Sequence, residues 1–80
     1  MPTVLRRDAD RVYFYSHEPN EPPHVHIDRD NLSAKFWPNP VSLVRNRGFS
    51  ARELRQVERI VREDRQILLE AWNEYFGSGG

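Results

Sequence analysis

"RVYFYSHEPNEPPHVHID", residues 11–28, decides the fold. Its first seven residues are dense in β-branched and aromatic side chains and read as a strand. "EPNEPP" (18–23) holds three prolines and an asparagine and reads as a loop. "HVHID" (24–28) reads as the returning strand. Pairing the two across the loop sets His17 opposite His24, Tyr15 opposite His26 and Tyr13 opposite Asp28. Side chains alternate along a strand, so these six share one face of the hairpin. Val12, Phe14, Val25 and Ile27 share the other.

Working outward, "RDN" (29–31) turns the chain and "LSAKFW" (32–37) alternates as a third strand. It adds Leu32, Ala34 and Phe36 to the apolar face, and Ser33, Lys35 and Trp37 to the histidine face. "PNP" (38–40) breaks the strand, because neither proline donates to a ladder. "VSLV" (41–44) reads as a weak strand and "RNRG" (45–48) as a loop. On the N-terminal side, "TVLR" (3–6) is a short apolar run, and "RRDADR" places Asp8 and Asp10 as turn formers.

From residue 50 the period changes from two to 3.6. Ser50 is an N-cap with Glu53 three residues on, the capping-box pattern, and Phe49 can staple onto Leu54. Leu54, Val57, Ile60, Val61, Ile67, Leu68, Ala71, Trp72, Tyr75 and Phe76 then form one stripe on a helix of about seven turns. Asp64 interrupts the stripe and is expected at its edge, reaching water. Gly77 ends the helix. The expectation is α+β: a small three- to four-stranded antiparallel sheet with one long C-terminal helix packed on its Val/Phe/Ile face. Residues 1–76 form a single domain and 77–80 a flexible tail.

Composition bounds the function. Eighty residues make one small domain. There is no cysteine, so disulfides and thiolate metal sites are excluded. No apolar run approaches a membrane span or a signal-peptide core, and a cytoplasmic protein is expected. The formal net charge is zero, which argues against a strongly electrostatic nucleic-acid binder. Every cation except Lys35 is arginine, a residue suited to planar recognition of carboxylate or phosphate.

One amphipathic helix covers one side of the sheet, which leaves the second face without a lid. Tyr13, Tyr15, His17, His24, His26, Lys35 and Trp37 stand there. Tyrosine and tryptophan anchor interfaces, so self-association or a small cognate protein partner is expected through this face. A nucleic-acid surface is an alternative, with aromatics stacking on bases and Lys35 on a phosphate. A further alternative is a half-solvated antiparallel sheet whose aromatics merely pair across strands.

His24 and His26 project from one strand on the same side. With His17 opposite, and Glu18, Glu21 or Asp28 to complete a site, they could hold zinc or ferrous iron. One of them could instead serve as an acid–base group near neutral pH. The remaining reading is structural, with the imidazoles bonded to loop carbonyls or Tyr15. No nucleophile elbow accompanies them, and no glycine-rich phosphate loop exists. No cofactor or metal is expected, and catalysis, for which His24 and His26 are the candidates, is not favoured.

"MPTV" at the start, "YSHEPNEPPHVHI" in the hairpin, "AKFW" in the third strand, "GFS" before the helix and "LLEAW" near its end together resemble a small bacterial domain-of-unknown-function family, number four-one-six-zero. The resemblance spans about residues 1–76. Its most specific element is Pro-Pro-His-x-His, here Pro22, Pro23, His24, Val25 and His26; Trp72 matches the late helical tryptophan. His17 falls outside the pattern. The resemblance implies a neighbouring gene for a second small domain, and on that basis a toxin–antitoxin-like pair. The leading expectation is an interaction module of such a pair; the alternatives are a His- or metal-dependent nuclease or other hydrolase and a nucleic-acid-binding regulator.

Overall fold

A computed structural model describes residues 3–7, 9–14 and 22–77. Tyr15, His17, Asp8, the loop residues 18–21 and the tail residues 78–80 lie outside the described residues.

Five strands form one antiparallel sheet in chain order: β1 (Thr3–Arg7), β2 (Asp10–Tyr13), β3 (Val25–Arg29), β4 (Leu32–Pro38) and β5 (Val41–Arg47). Two helices follow, α1 (Ala51–Glu63) and α2 (Arg65–Phe76). The α+β class holds, but a sheet of three or four strands with one long helix does not. The additional strand is β1, whose short, arginine-rich pattern carries little alternation. It takes its place by pairing with β2, Arg7 opposite Asp10 and Arg6 opposite Arg11. Asp10, expected in a turn, is therefore a strand residue. β5 also outruns its apolar pattern: Arg45, Asn46 and Arg47, expected in a loop, pair with Lys35, Ala34 and Ser33 of β4.

The helix divides at Asp64, whose φ of −103° and ψ of 14° leave the helical region. The i→i−4 bonds from Asp64 N–H to the Ile60 carbonyl and from Leu68 N–H to the Asp64 carbonyl persist across it, both at 2.9 Å, and β1 contacts the chain here. Arg7 reaches across to donate to Glu63 at 2.8 Å and Asp64 at 3.2 Å. The Asp64 side chain keeps only 18% exposure. An acid on the apolar stripe thus stays partly exposed and also meets an arginine of the same chain, and the two helices join where it sits. Beyond the joint the stripe is imperfect: Leu68 and Trp72 are buried, whereas Ile67 and Tyr75 are half-exposed.

The capping box forms as its pattern requires. Ser50 Oγ accepts from the Glu53 amide at 3.1 Å, and Glu53 accepts from the Ser50 amide at 2.9 Å. Just upstream, Asn46 clamps the helix entry: its amide donates to the Phe49 carbonyl at 2.9 Å and its oxygen accepts from the Phe49 N–H at 3.0 Å. Gly48 between them has φ of +96°, a left-handed conformation natural to glycine.

The helices cover the face bearing Val12, Val25, Ile27, Ala34 and Phe36, which with Phe49, Val57, Ile60, Val61 and Leu68 form the core. The hairpin register differs from expectation by two residues. Tyr13 faces His26, and Arg11 faces Asp28. A shift of two keeps every side chain on its face, so the alternation alone does not discriminate between the two registers. After Tyr13 the chain leaves the ladder, and Phe14 turns into the rings of Trp72, Tyr75 and Phe76, with centroids 5.2, 5.3 and 5.5 Å away.

Candidate functional site

The outer sheet face is ordered in cross-strand rows. One runs Tyr13, His26, Lys35, Arg45 over β2 to β5, and the next runs Arg11, Asp28, Ser33, Arg47. Arg6 extends the second row onto β1. The Tyr13 ring stacks on His26 at 5.3 Å and 19°, lies 4.6 Å beneath the Arg11 guanidinium, and its hydroxyl donates to Asp28 at 3.1 Å. Tyr13 is consequently 5% exposed despite facing outward. His26, Lys35 and Trp37 are half-buried, and the Lys35 ammonium lies 5.3 Å from the centre of the Trp37 ring.

His24 departs from this pattern. It precedes β3 and has no exposed surface. Its Nδ1 lies 2.9 Å from the Pro22 carbonyl oxygen, so that nitrogen carries the hydrogen and donates. The proline pair fixes the approach, since both φ angles are restricted. The ring contacts Trp72 of α2 at 4.9 Å, His26 at 5.4 Å and the edge of Trp37 at 5.9 Å. His24 therefore ties the outer face to the second helix.

Two hollows flank this histidine arm. The larger, about 380 Å³, is an open apolar groove walled by Pro22, Pro23, Trp37, Pro40 and Leu69, with Asn39 and Ser42 supplying polar groups. The smaller, about 180 Å³, is polar and is lined by Tyr13, His26, Ser33, Lys35, Arg45 and Arg47. Of the expected binding face, the fold brings together Tyr13, His24, His26, Lys35 and Trp37; Tyr15 and His17 lie outside the described residues. Among the described residues no three His, Asp or Glu side chains come together as a metal cluster. No helix among them is long and apolar enough to cross a membrane.

Sequence reasoning missed an ion pair on the opposite, helix-covered face. Arg29 donates through Nε to Asp10 at 2.6 Å and through a terminal nitrogen to the second carboxylate oxygen at 2.9 Å, while its other nitrogen reaches Gln56 of α1 at 3.1 Å. The carboxylate holds the Arg29 pKa above its ordinary value, chiefly through this hydrogen bonding. The signal was present: Asp10 shares its parity with Val12, and Arg29 with Ile27. Arg45 and Arg47 were missed because the loop assignment gave them no face.

The family described as Domain of unknown function (DUF4160) matches residues 11–73, and the chain belongs to it. No curated protein and no solved structure matches the chain.

Proposed function

We propose that this family member is a cytoplasmic, non-enzymatic interaction module that docks a protein partner through the Trp37 end of its outer sheet face, as one half of a toxin–antitoxin-like pair. One observation carries the reading. The motif Pro-Pro-His supplies two walls of the apolar groove of about 380 Å³, and its histidine is buried against Trp37 and Trp72. A groove held this way is preorganised, so an inserted side chain loses little to ordering of the receptor. Burial also speaks against His24 as an acid–base group, because a substrate does not reach a side chain with no exposed surface. The paired-gene arrangement implied by the family resemblance supports a cognate partner.

The test is co-expression with the product of the neighbouring gene, followed by light-scattering mass of the purified material. Trp37→Ala is expected to keep the circular dichroism spectrum and to weaken partner or self-association by about thirtyfold, a loss of about 2 kcal/mol typical of an aromatic anchor. A natural chain that stays monomeric and does not co-purify would sink the proposal. So would unchanged association by the variant.

A further inference from the structure

The sheet ends beside the Trp37 groove in an open edge strand: we infer that β5 is extended by a β-strand of the protein partner that carries carboxylates on two alternate residues. This rests on the reading that the Trp37 end of the face docks a protein, and it names the chemistry of what docks. Among the described residues β5 pairs with β4 alone and stands last in the sheet order. Its seven residues span about 24 Å at 3.4 Å each. In an antiparallel edge strand every second residue turns its N–H and C=O away from the ladder. Such a row of backbone groups is a template for an incoming extended chain. Six of the seven residues, Ser42 onward, are exposed.

Continuity, apolar surface and charge specify the occupant. Ser42 belongs to β5 and also lines the apolar groove, so a strand laid along β5 arrives at Trp37 and delivers a side chain there. Leu43 stands opposite the core residue Phe36, yet it is 43% exposed, and an added strand covers it. Arg45 and Arg47 stand two residues apart on the outer face, β5 itself holds no acid, and β4 places no acid opposite either arginine. An added strand has the same period of two, so its residues i and i+2 come beside these two guanidinium groups. Carboxylates at those places form opposite-charge cross-strand pairs, a geometry that the arginine fork suits. The same charges select against a second copy of the chain. The other open edge, β1, carries Arg6 and Arg7 and no acid, so joining β5 to the β5 or β1 of another copy brings like charges together. Arginines that blunt the edge against itself leave it open to an acidic strand.

The probe is the capped peptide Thr-Glu-Val-Glu-Val-Thr-Leu-Thr, titrated into the full chain and read by backbone amide chemical shifts and hydrogen exchange. Saturable binding that shifts and protects the β5 amides is expected. Arg45→Glu with Arg47→Glu, at exposed positions, should keep the circular dichroism spectrum and weaken binding at least tenfold. The same variant should gain binding to the peptide with lysine in place of both glutamates. Of two peptides N-methylated at alternate residues, one parity should lose binding, because only one set of N–H groups faces β5. No saturable binding, equal binding of the glutamate and lysine peptides, or full binding by both methylated peptides overturns the inference. So does protection of β5 that rises with protein concentration alone, which assigns the edge to a second copy, or saturation of β5 by oligouridylate in place of the peptide. Co-purification with the neighbouring gene product reads the groove separately. Its loss in Trp37→Ala, with no peptide binding at β5, removes the acidic strand and leaves partner docking standing. Peptide binding by a chain that co-purifies with nothing retains the acidic-strand edge and sinks the cognate pair.

Discussion

Replacing Arg29 with methionine isolates the ion pair beneath α1. The Asp10 side chain is 5% exposed and the Arg29 side chain 20%, and two hydrogen bonds of 2.6 and 2.9 Å join them. Methionine keeps most of the volume and the apolar stem but removes the charge, which leaves a carboxylate enclosed without its partner. Breaking a buried pair from one side costs about 3–5 kcal/mol. The residual exposure of Arg29 admits some water, so the low end, about 3 kcal/mol, is expected. In a domain of this size each kcal/mol moves the melting temperature by roughly 4–8 °C, so a fall of about 12–24 °C should follow. Replacing both partners, Asp10→Leu with Arg29→Met, removes the stranded charge and should return the protein to within about 1 kcal/mol of the natural chain. Urea unfolding followed by tryptophan fluorescence measures all four members of this cycle. A loss below about 1 kcal/mol in Arg29→Met would refute the reasoning, as would a double variant no more stable than the single.

Gly48→Ala combines two penalties, a φ of +96° and a new Cβ 2.7 Å from Leu32 Cδ2; a loss above about 1 kcal/mol is expected in the same unfolding assay, and a neutral result would show that the loop relaxes freely. The Glu53 carboxylate is held below its ordinary pKa, first by the Ser50 backbone N–H and then by the Ser50 side chain. A depressed carboxylate pKa contributes stability that is present above the unfolded value and lost as pH falls through the folded one. Glu53→Gln should therefore flatten part of the acid limb of stability against pH below about 4.5, and an identical acid limb in the variant would remove that assignment.

Much of the site was readable from alternation. Tyr13, His26, Lys35 and Trp37 share a face because a strand has period two, whatever its partner. His24 was placed with them by the same rule, yet it lies before β3, where the proline pair turns its ring against Trp72. Its burial depends on a helix nearly fifty residues away. Arg45 and Arg47 carry no apolar alternation of their own, and only hydrogen bonding to β4 makes them strand.

The sequence by itself determined what is periodic or local: the faces of the strands, the capping box at Ser50 and Glu53, and the apolar side of the helical segment. These follow from backbone geometry within a few residues. Tertiary structure decided what depends on distant partners. The hairpin register lies two residues from the expected one, and the alternation could not tell the two apart because a parity-preserving shift leaves every side chain on its face. β1 became the fifth strand by pairing with β2. The helical segment is interrupted at Asp64, where Arg7 of the first strand meets the carboxylate, a contact no periodicity announces. Asp10 and Arg29 could lie on the covered face because each neutralised the other.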